Sequence, residues 1–239
     1  MEKNPWSDRD VEAHWDRVAN VYVSENEKVR RAHEQRFKET LRHLDLSGGQ
    51  KILNVSSRDC EAGDYILKDS PDAEIIHAEI SGKLMEVAAE IRPDAVQVKL
   101  ETYSRLPFQK GTFDRILSLE TLEHAADPAG FLAELNRVAA PGARMVLSCP
   151  PATSELPYRI YSKLFGGHGE GPHRFPASKE VRKGLADAGW KLLLHRGTLL
   201  VPVGPRWLQE AGEWFIRKMQ KTYIRELGIR QFYVCEKQA

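Results

Sequence analysis

A chain of 239 residues, 41% of them apolar, can bury one full α/β core, and two equal domains would fit it poorly. Its 35 lysines and arginines face 34 aspartates and glutamates. No global field therefore draws it to nucleic acid or to an anionic membrane, and any such attraction must be local.

The N-terminus has no apolar signal core, and no stretch approaches the ~20 apolar residues of a membrane span. Cys60, Cys149 and Cys235 form no C-x-x-C pair, which argues against a zinc ribbon or disulfide framework and for a reducing, cytoplasmic home. Val11, Trp15, Val18, Ala19 and Tyr22, continued by Val29, His33, Phe37, Leu41 and Leu44, recur at three to four residue spacing. They predict helix over 8–46, a cap within residues 1–48 that Ser47-Gly48-Gly49 stops. The period then changes to short apolar runs, with strands expected near 51–56, 73–80, 95–100, 113–119, 143–149, 190–196 and 230–236. Helices are expected near 62–69, 81–91, 127–140, 178–188 and 206–227. This alternation implies an α/β fold in one domain over 1–239: a doubly wound, Rossmann-like, seven-stranded, mostly parallel sheet with helices on both faces. Ligands of such sheets bind at the carboxyl ends of the strands near the switch point, where the loop from Ser56 to Gly63 should lie. The connection 150–176 is long enough to be a flap, and 202–228 inserts a helix between the last two strands.

The run Leu106-Pro-Phe-Gln-Lys-Gly-Thr-Phe-Asp-Arg-Ile-Leu-Ser-Leu-Glu-Thr-Leu-Glu-His, continued through Asp127-Pro128 to Pro150, resembles the central half of a class I S-adenosylmethionine-dependent methyltransferase of the small-molecule type. The resemblance covers residues 51–150 specifically and the flanks loosely. It implies S-adenosylmethionine as cofactor, held by a glycine-rich turn after the first strand, an acidic residue ending the second for the ribose hydroxyls, and polar groups beside the adenine. Methyl transfer from a sulfonium is an in-line displacement, so the protein mainly positions donor and acceptor. A general base matters only when the nucleophile carries a proton that must leave.

Against that pattern the first loop, Ile52-Leu-Asn-Val-Ser-Ser-Arg-Asp-Cys60, is degenerate: Asn54 replaces the usual aspartate, and Ser56, Arg58 and Cys60 stand at the three glycine positions. The Arg58 guanidinium could pair with the cofactor's carboxylate or fill the cofactor space. Gly63 offers one backbone contact in a shifted loop. By the same resemblance Glu79, followed by Ile80, is the ribose-binding acid, Glu101 and Thr102 lie beside the adenine, and Ser118, Leu119 and Glu120 run along the cofactor edge. His124 opens the next loop and could orient or deprotonate an acceptor, or simply bond the loop. The flap carries His168, Glu170, His173 and Arg174 among glycines 166, 167, 169 and 171, with His173 and Glu120 as further acceptor-side candidates. The histidine spacing matches no standard zinc pattern, so no metal is expected.

The function implied is methyl transfer to a small molecule, glycan or lipid intermediate. The rival is a non-catalytic scaffold or partner subunit that keeps the fold and loses the cofactor. Nucleic acid is disfavoured, since no basic stripe exists and Ser118-Leu-Glu-Thr stands where a base-pocket motif would be. Tyr158, Tyr161, Phe175, Trp207 and Trp214 are expected to help wall the acceptor pocket. Trp207, Leu208, Ala211, Phe215, Met219 and Tyr223 share a face of the inserted helix beside Arg217, Lys218, Lys221 and Arg225. Such a stripe is expected to be core or a homodimer contact, with peripheral membrane contact through 206–227 as the alternative.

Overall fold

The computed structural model describes residues 1–28, 30–156, 171–202 and 204–238. Seven strands, β1 (Lys51–Val55), β2 (Glu74–Glu79), β3 (Gln97–Lys99), β4 (Phe113–Leu119), β5 (Ala139–Cys149), β6 (Trp190–Thr198) and β7 (Arg230–Lys237), form one sheet in the order β3-β2-β1-β4-β5-β7-β6. The strands β1 to β5 pair in parallel, and β7 runs antiparallel between β5 and β6. The helices are α1 (Asp8–Lys28), α2 (Arg30–Leu44), α3 (Glu61–Asp69), α4 (Gly82–Ile91), α5 (Pro128–Val138), α6 (Ser178–Asp187) and α7 (Arg206–Lys218).

Period-two alternation divides the core. Leu53, Val55, Ile116, Met145 and Leu147 face one side and pack with α1, α4, α5 and α6 through Trp15, Leu84, Phe131 and Leu185. Ile52, Leu117, Val146 and Phe232 face the other and pack with α2 and α3 through Phe37, Leu44 and Ile66. The helix expected over 8–46 is described as two stretches, and the apolar stripe of α1 belongs to one face of the sheet and that of α2 to the other. Helix starts are encoded locally. The Ser81 hydroxyl accepts from Leu84 N–H at α4, and Asp127 accepts from Gly130 N–H at α5, whose first residue is Pro128.

Two further boundaries differ from the expectation. Strand β5 begins at Ala139, four residues early, pairing with Phe113 before Gly142 bends the chain at φ +74°. The inserted helix stops at Lys218 instead of continuing to 227. There the Thr222 hydroxyl donates to Met219 O (2.7 Å) and accepts from Ile224 N–H (3.2 Å), drawing the backbone into a separate 3₁₀ turn at Tyr223–Glu226. Among the described residues no helix is long and apolar enough to cross a membrane.

Candidate functional site at the carboxyl ends of the strands

The chain leaves β1 through a loop whose backbone is left-handed at alternate residues: Ser56 at φ +54°, Arg58 at +54° and Cys60 at +64°. These are the three positions where glycines were expected. A side chain in this region crowds the following carbonyl at a cost of roughly 1–2 kcal/mol per residue, which is why glycine is favoured. The loop thus keeps the backbone of a glycine turn without its glycines. Gly63, in the first turn of α3, serves close packing, since a Cβ there would meet His77 Nε2 at 2.9 Å.

The turn points the Arg58 amide at Glu79, which is fully buried at the end of β2. One carboxylate oxygen accepts from Arg58 N–H (2.8 Å); the other accepts from Ile80 N–H (2.8 Å) and Ser81 N–H (2.9 Å). The Arg58 guanidinium returns to the same carboxylate at 3.6 Å, and its carbon lies 3.6 Å over the Trp15 ring. A cation placed so against a tryptophan and withdrawn from water gains about 1–2 kcal/mol. The Arg58 side chain thus lies in the space beside Glu79, whose carboxylate is already bonded by three backbone amides. The backbone frame of a cofactor turn is present, but in this arrangement the side chains do not fit S-adenosylmethionine.

Helix α1 seals the region. Asp8 accepts from the Thr102 hydroxyl (2.5 Å), Tyr103 N–H (2.9 Å) and Ala126 N–H (2.9 Å), tying together the loops after β3 and β4. Asp16 accepts from the Ser81 hydroxyl (2.6 Å) and Lys83 N–H (3.1 Å) at the start of α4. The Ser56 hydroxyl donates to the Tyr103 hydroxyl (3.0 Å). Glu101 is exposed, and Asn54 donates to His77 Nδ1 (3.1 Å). Ser118 Oγ is buried and makes no hydrogen bond among the described residues, while Ile80 and Leu119 are buried in the two cores.

On the acceptor side, His124 is buried and its Nδ1–H donates to Pro172 O (2.9 Å), with the ring edge-on to Trp15 at 5.6 Å and to His173 at 6.2 Å. Burial, then the nearby Arg58 charge, pushes its pKa down to about 3, so it is neutral and its acceptor nitrogen is set by the Pro172 bond. The described end of the flap, 171–176, lies here. His173 Nδ1–H donates to Gly171 O (2.8 Å), Arg174 N–H donates to Glu123 O (3.1 Å), and a Cβ on Gly171 would meet the His14 ring at 2.4 Å. Tyr158, Tyr161, His168 and Glu170 fall outside the described residues. Glu120 is also left-handed (φ +54°) and faces away from His124 into its own cluster, accepting from the Ser148 hydroxyl (2.6 Å) and Arg230 Nε–H (3.1 Å).

The structure therefore brings Ser56, Arg58, Glu79, His124 and His173 around Trp15. Sequence reasoning found all of these but Trp15, whose helical spacing marked it as core. It is core, and it also carries the cation. Asp8, Asp16 and Tyr103 were missed; an acid in the first turn of a helix, as Asp8 is, ordinarily signals only its dipole. Trp207 and Trp214, expected in the acceptor wall, are 69% and 60% exposed, and the stripe they belong to is solvent-facing and not core. Cys60, at the start of α3, is held inert by burial, which pushes its thiol up to about 12.

A methyltransferase domain model matches residues 61–147. The demethylmenaquinone methyltransferase of Thermus thermophilus is 29% identical over 182 residues, 66% of this chain and 83% of that protein. Among solved structures, the [4+2]-cyclase SpnF superposes with a TM-score of 0.72 at 15% identity, covering all of this chain and 98% of its own. The geranyl diphosphate C-methyltransferase of Streptomyces coelicolor, solved with geranyl diphosphate and S-adenosyl-L-homocysteine, superposes at 0.63 and 15% identity over 88% of this chain and 82% of its own.

Proposed function

Because the chain belongs to the class I S-adenosylmethionine-dependent methyltransferase family, we propose that it transfers a methyl group to a small, largely apolar acceptor, at a site that is reached when the Arg58 side chain withdraws from Glu79. The observation that carries this reading is the left-handed backbone at Ser56, Arg58 and Cys60, which turns the Arg58 amide onto the carboxylate ending β2 despite the strain of non-glycine residues. The menaquinone-precursor activity named for the Thermus thermophilus relative supports an apolar acceptor of small-molecule size.

In this reading the chain's own groups position and exclude. Glu79, freed of the guanidinium, presents its carboxylate to hydroxyl groups. Trp15 keeps water from the reacting end. Neutral His124, held by Pro172 O, orients the acceptor.

Calorimetric titration with S-adenosylhomocysteine tests the proposal. The wild type should bind weakly, because Arg58 must first leave its ion pair, and Arg58→Gly should bind at least about tenfold tighter, equivalent to about 1.4 kcal/mol. Weaker binding by Arg58→Gly would show instead that the guanidinium holds the ligand's carboxylate. If neither protein binds, the rival reading stands: a methyltransferase fold kept as a scaffold, which the filled space beside Glu79 favours.

A further inference from the structure

Helix α7 rests on the body of the protein along one narrow side. Gly212 and Ile216 are buried, with a Cβ on Gly212 meeting Val201 Cγ2 at 3.3 Å, and Glu213 reaches the buried Arg196 at 3.5 Å. At 100° per residue, Trp207, Trp214 and Ala211 lie opposite that side and Phe215, Leu208 and Met219 run from there back to its edge, and all six are exposed. Tyr223, just beyond the helix, is 92% exposed. Lys218 projects within this apolar arc, and Arg217 and Lys221 flank it, all three exposed, whereas Glu213 is turned inward and Glu210 is paired with Arg206. The exposed face therefore combines two tryptophans with an excess of cations, in a chain whose net charge is only +1.

We infer that α7 docks the protein on an anionic phospholipid surface. Tryptophan rings favour the boundary between headgroups and acyl chains, and lysine and arginine stems extend their charges to the phosphates. A protein partner would be served by the same apolar area, but the exposed cations at the centre and rim of the face match a lipid headgroup layer more directly. The placement gives the docking a purpose. Strands β5 and β6 are both antiparallel to β7 and hence parallel to each other, so Thr198 leaves the sheet at the same end as Leu119 and Glu79. Leu199 N–H donates to Glu213 (2.5 Å), fixing α7 to that end, and Arg196 links it to Glu39 of α2 at 2.5 Å. A docked α7 thus turns the carboxyl ends of the strands toward the bilayer, where an apolar acceptor is dissolved. The docking itself does not depend on the methyl-transfer reading.

The test is sedimentation of the full chain with phosphatidylcholine vesicles, with and without phosphatidylglycerol. Wild type should bind the anionic vesicles, more weakly as salt rises, and Trp207→Ser with Trp214→Ser should lower partitioning at least about tenfold. Lys218→Glu with Lys221→Glu should lower it comparably. Since all four side chains are exposed, circular dichroism and melting temperature should not change. Absence of binding to anionic vesicles would overturn the inference, as would binding that neither pair of changes reduces. A wild type that is dimeric in sedimentation velocity, and monomeric after the tryptophan changes, would assign this face to a second copy of the chain instead.

Discussion

The ends of β1 and β4 are neighbours in the sheet, and both leave their strand through left-handed residues that are not glycine, yet they use them in opposite ways. After β1 three such residues shape a turn that brings the Arg58 amide and guanidinium onto one buried carboxylate. After β4 the single left-handed residue, Glu120, sends its carboxylate outward to β5 and β7 through Ser148 and Arg230. Family resemblance is carried by residue identity at the second place and by backbone conformation alone at the first. A turn can outlive the residues that ordinarily make it, provided that other contacts hold it.

Acid should strain both places most. Burial lowers the pKa of His77, beside the β1 loop, to about 4, and of His124, after β4, to about 3; His33 on α2, pressed also by Arg36, falls to about 2. The folded chain thus binds fewer protons than the unfolded one below the unperturbed value near 6.5. Stability is complete above that pH and is lost as pH falls from there toward the folded values, by up to about 1.4 kcal/mol per pH unit for each histidine. Urea unfolding followed from pH 7 to 5 should show this slope, and His77→Gln and His124→Gln should each flatten it by about one proton. A slope that neither change affects would mean that the loss arises elsewhere.

Next in size is Glu79→Ala. It strands three backbone amides and leaves Arg58 without its buried partner, so unfolding free energy should drop by about 3–5 kcal/mol. A drop below about 1 kcal/mol would show that Arg58 readily swings to water. The smallest effect separates the two strand ends most cleanly. Ser56→Gly relieves left-handed crowding of roughly 1–2 kcal/mol and loses one hydrogen bond to the Tyr103 hydroxyl, about 1 kcal/mol, so it should not destabilise and should stabilise by up to about 1 kcal/mol. Glu120→Gly relieves the same crowding but leaves Arg230 buried without its carboxylate, and should destabilise by about 2 kcal/mol. Equal signs in thermal melts would erase the distinction.

The fold was legible because its signals are periodic and local. Strand runs such as Phe113–Leu119 and the Asp127-Pro128 start of α5 fix their elements without help from afar. That α1 and α2 serve opposite faces of the sheet was not legible, since the stripe runs on from Tyr22 to Phe37 and only tertiary packing divides it. In the site, Glu79, Arg58 and His124 were visible as residue types at positions in a motif. Their state was not. That Arg58 turns inward depends on Trp15, a residue 43 positions earlier whose apolar spacing masks its second contact. The exposure of Trp207 and Trp214 was likewise hidden, because an amphipathic pattern does not tell which of its faces the rest of the molecule covers.

The place of β7 has a consequence for how the molecule is made. Strand β6 pairs with β7 alone, and β5 is its neighbour only across β7. During synthesis a nascent chain that has emerged as far as α7 holds β6 with no strand to join, while β1 to β5 are free to assemble. The last strand is then a zipper, and until it slides in, the edge of β5 and both edges of β6 remain open beside the exposed tryptophans of α7. That interval, more than any state of the finished protein, is when the chain is most prone to aggregate.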